Sequence, residues 1–257
     1  MRGTVCMLLM LFASLSVYAQ EPADDEAKAW QQRRQAEFAR YELVQQSPTG
    51  ELAVPLEPKS LLNWSNPIRK TPAGAVFLWT LGGRPQMIAS TYPVVDGVEQ
   101  ELTSLADLPL LLRQDGQPVH CFQPGIEWKN VPDAEPPVTS RTLRLTQMRR
   151  IAERFRVTGG DNETFDARML TQPVYRSPAK SPTDAALFVF VQGTDPEAVL
   201  LLEAVEDRGW RYALARMTRV AIWADLDEQR VWDLPASWKQ PPPPDGPFHL
   251  VPLPGVR

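Results

Sequence analysis

The stretch that decides the fold is Ala185-Ala186-Leu187-Phe188-Val189-Phe190-Val191, an unbroken apolar run of strand length. Turn-forming residues follow at Gly193-Thr194-Asp195-Pro196, and further apolar runs follow at residues 199–202 and 210–214. Short apolar runs separated by turn residues are typical of antiparallel strands. Residues 185–232 therefore predict an antiparallel meander at the centre of the core. The side chains that we predict to be most deeply buried are Leu187, Val189, Leu201 and Leu214.

The chain begins with the features of a secretory signal. Arg2 precedes an apolar run from Val5 to Val17, and Val17-Tyr18-Ala19 has the small-x-small pattern of a signal-peptidase site. A retained membrane anchor is the alternative, but the apolar run is shorter than a membrane-spanning helix requires. We expect residues 1–19 to be removed, with no stable membrane span left and a periplasmic or secreted location.

Charge and cysteine content limit the partners and the means of stabilisation. The formal charge of the 257 residues is −4; Arg2 is the one charged residue of the signal, so its removal makes the charge −5. This acidic balance argues against nucleic acid as a partner. Cys121 is the one cysteine outside the signal. It cannot form an intramolecular disulfide, and its apolar surroundings predict a buried thiol.

The predicted fold class is α+β: an antiparallel sheet, flat or strongly curved, with an N-terminal helix and a second helix at about 142–155. The helical periodicity places the first helix within residues 20–50. A single α+β domain then spans 51–235, with possible halves at 51–130 and 139–235. Residues 236–257 form a proline-rich tail that we expect to be extended and poorly packed. No internal repeat is visible in the sequence.

The second predicted helix is rich in arginine. Its apolar residues fall at helical spacing, which predicts that it packs along one face. The surrounding arginines admit two interpretations, a solvated helix face or an anion-binding site. They are Arg141, Arg144, Arg149, Arg150 and Arg154.

Metal ligands are scarce. Only two histidines are present, His120 and His249, and a transition-metal site needs three or four convergent ligands. The one oxygen-rich group follows Gly159-Gly160, and it lacks the spacing of a calcium loop. We therefore predict no metal and no cofactor, with a solvated turn as the expected role of this group. Its members, the weak metal candidates, are Asp161, Asn162, Glu163 and Asp166.

The sequence identifies no catalytic residue. His120 and Cys121 are neighbours on a predicted strand, so their side chains point to opposite faces. Several carboxylates could serve a glycosidase, but no pair among them is distinguished. They are Glu203, Glu206, Asp225 and Asp227. Four tryptophans on predicted strands indicate core packing, with an aromatic platform as the alternative. They are Trp79, Trp210, Trp223 and Trp232.

Four segments resemble a group of exported bacterial proteins of unknown function. They are Phe77-Leu78-Trp79-Thr80, Gln147-Met148-Arg149-Arg150, residues 170–176 and residues 185–197. The resemblance would cover most of the chain after the signal. It implies export but supplies no activity and no site residue.

The leading functional hypothesis is an exported, non-catalytic protein that binds a ligand or a partner protein at the cell envelope. The alternative is a carboxylate-dependent hydrolase of an envelope or extracellular polymer. Whether the protein is an enzyme stays open, with binding favoured. A concave pocket that contains buried carboxylates of raised pKa would favour the enzyme, whereas an apolar or aromatic surface would favour binding.

Overall fold

The computed structural model describes residues 21–205 and 209–254. The predicted signal at 1–19 lies outside these residues. The helices are Glu21–Phe38 (α1) and Arg141–Ala152 (α2). The strands are Tyr41–Ser47 (β1), Gly50–Val54 (β2), Leu62–Asn66 (β3), Thr71–Leu81 (β4), Arg84–Val94 (β5), Gly97–Ser104 (β6), Leu110–Gln114 (β7), Gln117–Phe122 (β8), Lys129–Asn130 (β9), Phe155–Gly160 (β10), Thr164–Met169 (β11), Tyr175–Arg176 (β12), Asp184–Gln192 (β13), Asp195–Val205 (β14), Gly209–Arg216 (β15), Ile222–Leu226 (β16), Gln229–Leu234 (β17) and Phe248–Pro254 (β18).

These strands form three antiparallel sheets. Their orders are β2-β1-β7-β8, then β18-β6-β5-β4-β3, then β17-β16-β10-β11-β13-β14-β15-β9 with β12 beside β13. The last sheet curls into a half-barrel, and Lys129 at one end donates a hydrogen bond of 2.9 Å to the carbonyl of Val231 at the other. The curved antiparallel sheet is confirmed. With 54% strand and 11% helix, however, the protein is more sheet-dominated than α+β implies.

The structure contains an internal repeat that the sequence does not show. Residues 21–130 and residues 141–254 each form one helix followed by nine strands, and their sheets have matching orders. The matching extends to irregularities, since the bulge at Trp79/Thr80 between β4 and β5 recurs at Phe190/Val191 between β13 and β14. The residues differ because the repeat preserves burial and register rather than side-chain identity: Arg84-Pro85 corresponds to Asp195-Pro196.

The two repeats exchange their ninth strands. β9, which ends the first repeat, pairs with β15 of the second, and β18, which ends the second, pairs with β6 of the first. The proline-rich tail is therefore extended, as predicted, but the prediction of poor packing is wrong for residues 248–254. Prolines are tolerated there because β18 is an edge strand.

One predicted helix is correct and the other is too long. α2 lies close to the predicted 142–155, and the side chain of Ser140 caps it by accepting from the amide of Leu143. α1 ends at Phe38, within the predicted 20–50, and β1 follows. In β1 the burial alternates, with Tyr41 and Leu43 facing inward. Inward packing of every second side chain, as in a strand, outweighs the helix propensity of this Glu- and Gln-rich segment.

Three apolar clusters hold the sheets together. One lies between the two central meanders and contains Leu187, Val189 and Leu201, which are at most 1% exposed. The second lies inside the half-barrel, where α2 packs on a cluster that includes Leu214. The third lies in the first repeat, where Phe38 of α1 packs on Phe77 with ring centroids 4.4 Å apart. The predicted meander is confirmed for β13, β14 and β15, and its four core residues are buried. Its last part is wrong, because β16 and β17 lie at the other end of the sheet, where β16 pairs with β10.

The prediction for Cys121 is wrong, because its side chain is exposed. β8 ends its sheet, and its side chains alternate between the core and solvent. His120 and Phe122 take the inward positions, so Cys121 faces outward. The apolar neighbours on which the prediction relied are on the opposite face of the strand.

Candidate functional site

The weak metal candidates do not converge. Asp161 forms an ion pair with Lys239, and Asp166 forms one with Arg156 at 2.7 Å. Asn162 and Glu163 lie in the turn that joins β10 to β11. Within residues 21–205 and 209–254, no group of three or more His, Cys, Asp or Glu side chains is placed to hold a metal ion.

Two arginines of α2 pair with a carboxylate rather than with an empty anion site. Arg141 and Arg144 lie 2.6 and 2.7 Å from the carboxylate oxygens of Asp184 on β13, and Arg176 on β12 lies 2.7 Å from it. Partial burial acts to raise the pKa of Asp184, but the hydrogen bonds from Arg176 and Arg144 and the charge of Arg141 outweigh it. The pKa of Asp184 is therefore lowered, and three cations surround one ionised carboxylate.

A cleft of about 680 Å³ opens beside this cluster. The loop before α2, the start of α2 and the ends of β13, β14 and β15 form its walls. We call it the Asp184–Glu203 cleft after the acidic residues on its two sides. The residues that line it are Ala134, Pro136, Pro137, Val138, Thr139, Arg144, Pro182, Thr183, Asp184, Glu203, Ala204, Val205, Gly209 and Arg211. Prolines and aliphatic side chains thus alternate with a few fixed charges, as in many ligand sites.

Glu203 on β14 is the most deeply buried charge in this cleft. Its side chain is 0% exposed, and its Oε2 accepts from the guanidinium of Arg211 on the neighbouring strand β15. Its other oxygen, Oε1, is buried with no hydrogen-bond partner in the part of the chain that the structure describes. A buried carboxylate oxygen without a donor is costly, so a ligand that donates to it would gain a charge-assisted hydrogen bond.

An arginine–tryptophan stack fixes the surroundings of Glu203. Trp128 lies between two guanidinium groups, with the Arg211 and Arg84 carbons 4.3 and 5.1 Å from its ring centroid. The indole nitrogen of Trp128 donates to Asp107 at 2.8 Å, and Arg84 reaches the same carboxylate at 2.8 Å. Because every charge in the stack has a partner of opposite sign, Arg211 and Glu203 are held in position before any ligand binds.

A second set of buried acids lies where the two repeats meet. Glu101 on β6 and Asp195 and Glu197 on β14 are all less than 9% exposed. Burial, reinforced by the neighbouring carboxylates, raises the pKa of Glu101 to about 8 and that of Glu197 to about 7. Arg69 pairs with Asp195 and Glu197 at 2.9 and 2.8 Å. None of these three carboxylates lines any of the five cavities described here.

The other carboxylates and the tryptophans do not form a site. Asp225 and Asp227 pair with arginines on the surface; Glu206 lies outside the described residues. Trp79 and Trp210 are buried in the core. Trp223 pairs with Asp233 and Trp232 with Ala224, so the two indoles lie on opposite faces of the sheet. An aromatic platform built from Trp223 and Trp232 together is therefore absent from the described chain.

The sequence pattern did not single out Asp184, and it marked Glu203 only as one of four carboxylates without a distinguished pair. A usable signal existed, because each carboxylate adjoins an apolar run of a buried strand, where an unpaired charge is not tolerated. Their partners Arg144, Arg176 and Arg211 could not be assigned, since the pairings depend on the sheet order.

Two further results complete the description. In the described residues, neither helix is long and apolar enough to cross a membrane. Comparison with protein-family models, with curated protein sequences and with solved structures finds no match to this chain.

Proposed function

We propose that the protein is an exported, non-catalytic binding protein of the cell envelope, and that the Asp184–Glu203 cleft holds its ligand. The observation that carries the proposal is a cleft of about 680 Å³ whose lining residues include Glu203, a carboxylate with one buried oxygen, Oε1, that has no donor in the described chain. Cavities of this size accommodate small molecules and short segments of polymers. The ligand therefore carries a hydrogen-bond donor, with an amine as the best complement to the carboxylate.

The electrostatics of the cleft support binding rather than hydrolysis. A carboxylic acid that protonates a leaving group needs a raised pKa. In the cleft, the pKa of Asp184 is lowered by its arginines, which suits recognition of a fixed charge pattern rather than proton donation.

The alternative, a carboxylate-dependent hydrolase, draws on the raised pKa values of Glu101 and Glu197. These carboxylates lie in the contact between the repeats, and Arg69 occupies one side of Glu197. General acid catalysis requires contact with the substrate, and the cavities described here do not reach these residues. The geometry thus favours the binding protein.

A thermal-shift screen followed by calorimetry tests the proposal. The probes are free amino acids, di- and tripeptides, amino sugars and polyamines, all of which carry amine donors. The test variant is Glu203→Gln. The matched control is Glu99→Gln, because Glu99 is also a strand carboxylate paired with an arginine, Arg219, at 3.0 Å, and it does not line the cleft.

At least one probe should stabilise the unchanged protein and the control. Glu203→Gln should weaken its binding by roughly 10- to 100-fold, the range for a lost hydrogen bond to a charged group. If no probe binds, or if the variant and the control bind equally, the cleft is not the site. Turnover of an envelope polymer that Glu101→Gln abolishes would favour the hydrolase instead.

A further inference from the structure

The two repeats differ at the seam, the place where the ninth strand of the other repeat is added to each unit. In the first repeat, β18 lies along β6 with seven paired residues. In the second repeat, β9 lies along β15 with only two, and the ladder ends at Tyr212. The first repeat thus has a complete ninth strand and the second has a truncated one.

Aromatic side chains close the seam of the first repeat. His120 of β8 stacks on His249 of β18 with ring centroids 3.8 Å apart, and Phe122 lies 4.4 Å from the His120 ring. Because β18 follows β6 in register, His249 sits opposite Leu102. The ninth strand therefore contributes an aromatic side chain that fills the space between the two sheets.

The corresponding seam of the second repeat is open. When the repeats are aligned at the bulges Leu112/Arg113 in the first and Ala224/Asp225 in the second, Trp232 occupies the position of His120. Counted from the first residues of β6 and β15, Leu214 takes the position of Leu102. A cavity of about 400 Å³ remains there. Its walls include the apolar or aromatic residues Tyr212, Leu214, Trp232 and Leu234 and the charged residues Glu127, Lys129 and Asp233.

The free edge of β17 flanks this cavity. β17 ends its sheet, so one side of its backbone has no ladder partner in the described chain. Across the seam, the side chain of Lys129 donates one hydrogen bond, to the backbone carbonyl of Val231 on β17. An exposed strand edge beside a pocket is the arrangement used for strand addition, in which backbone pairing gives affinity and pockets select side chains.

We propose that this seam is a second binding site, and that it takes an extended peptide segment of a partner protein. The segment pairs with the outer edge of β17 and places one apolar or aromatic side chain in the cavity against Trp232. It supplies the side chain that β18 supplies to the first repeat, although β18 itself pairs with β6, the counterpart of β15, rather than with β8, the counterpart of β17. The seam shares no lining residue with the Asp184–Glu203 cleft, so peptide binding at the seam is tested independently of ligand binding in the cleft.

The test uses a labelled peptide with the sequence of residues 247–254, Pro-Phe-His-Leu-Val-Pro-Leu-Pro. This probe is the chain's own example of a strand that closes such a seam. Fluorescence anisotropy is measured with the full chain, with Trp232→Ala and with the control Trp223→Ala. Trp223 lies on the neighbouring strand and lines a different cavity.

The peptide should bind saturably to the full chain and to the control, and at least 10-fold more weakly to Trp232→Ala. Absence of binding at millimolar peptide, or equal binding to both tryptophan variants, would overturn the proposal. Equal binding would place the peptide elsewhere, for instance on β6 in exchange for β18.

A second variant keeps the test decisive if Trp232→Ala is unstable. Lys129→Ala frees the carbonyl of Val231, and Lys129 is a surface side chain whose removal leaves no cavity in the core. Peptide binding should tighten a few-fold, since the probe no longer competes with the lysine. Unchanged or weaker binding would rule out pairing at the edge of β17.

Discussion

Replacement of Glu101 by Gln should abolish most of the pH dependence of stability near neutrality. Glu101 lies among Glu99, Asp195 and Glu197, with Arg216 as a nearby cation, and Tyr92 donates to it at 3.0 Å. Burial raises its pKa from an ordinary 4.5 to about 8. The folded state therefore retains a proton that the unfolded state releases.

The sign of the effect follows from linkage. Because the folded pKa is above the unfolded one, this contribution to stability is complete below about pH 4.5 and is lost as the pH rises to about 8. At about 1.4 kcal/mol per pKa unit, the loss reaches an upper limit of about 5 kcal/mol. Glu197 adds a smaller loss of the same sign, since its pKa is raised to about 7.

Urea denaturation between pH 5 and pH 9 measures this dependence. The unchanged chain should lose stability across the range, and Glu101→Gln should flatten the curve because the amide stays neutral. Glu163→Gln, an exposed change in the turn after β10, is the control and should follow the unchanged chain. If Glu101→Gln retained the full slope, the argument that a buried protonated carboxyl sits between the repeats would be refuted.

Three further outcomes are expected. Leu201→Ala, in the cluster between the meanders, should lower the free energy of unfolding in urea by about 2–5 kcal/mol. The control Leu52→Ala, at a position 48% exposed, should change this free energy by less than about 0.5 kcal/mol. Cys121 should react with a thiol reagent at similar rates in native buffer and in denaturant, because it is exposed; strong native protection would contradict the orientation of β8. Truncation after Gly246 should remove β18, expose the edge of β6 and cause aggregation in light scattering; a monomeric, fully stable product would show that the exchanged strand is dispensable.

Local signals explain what the sequence could predict. The meander from Asp184 to Arg216 and the helix α2 were found because apolar periodicity and turn residues act over a few positions. The repeat, the three sheets and the exchanged strands depend on pairing between distant segments, which leaves no local pattern. The helix prediction for residues 39–46 and the burial prediction for Cys121 failed for a related reason, since tertiary packing determined which segment forms a strand and which face points inward.

The same reasoning applies to the candidate site. A lone Glu203 after three leucines indicates that some partner must neutralise it, but only the register of β14 with β15 shows that this partner is Arg211. The buried oxygen of Glu203 without a donor is visible only in the three-dimensional structure. The short ninth strand β9, whose pairing with β15 ends at Tyr212, is recognised only when the two repeats are compared.

The exchange of β9 and β18 makes neither repeat a self-sufficient folding unit. The first repeat lacks an edge strand of its sheet until β18 is available, so its folding must bridge a sequence separation of 145 to 157 residues, from Phe248–Thr103 to Pro254–Gly97. Such distant closure is slow and leaves the edge of β6 open in the meantime. By the same geometry, a protease cut between Asn130 and Arg141 would leave two fragments that remain associated, because β9 still pairs with β15 and β18 still pairs with β6.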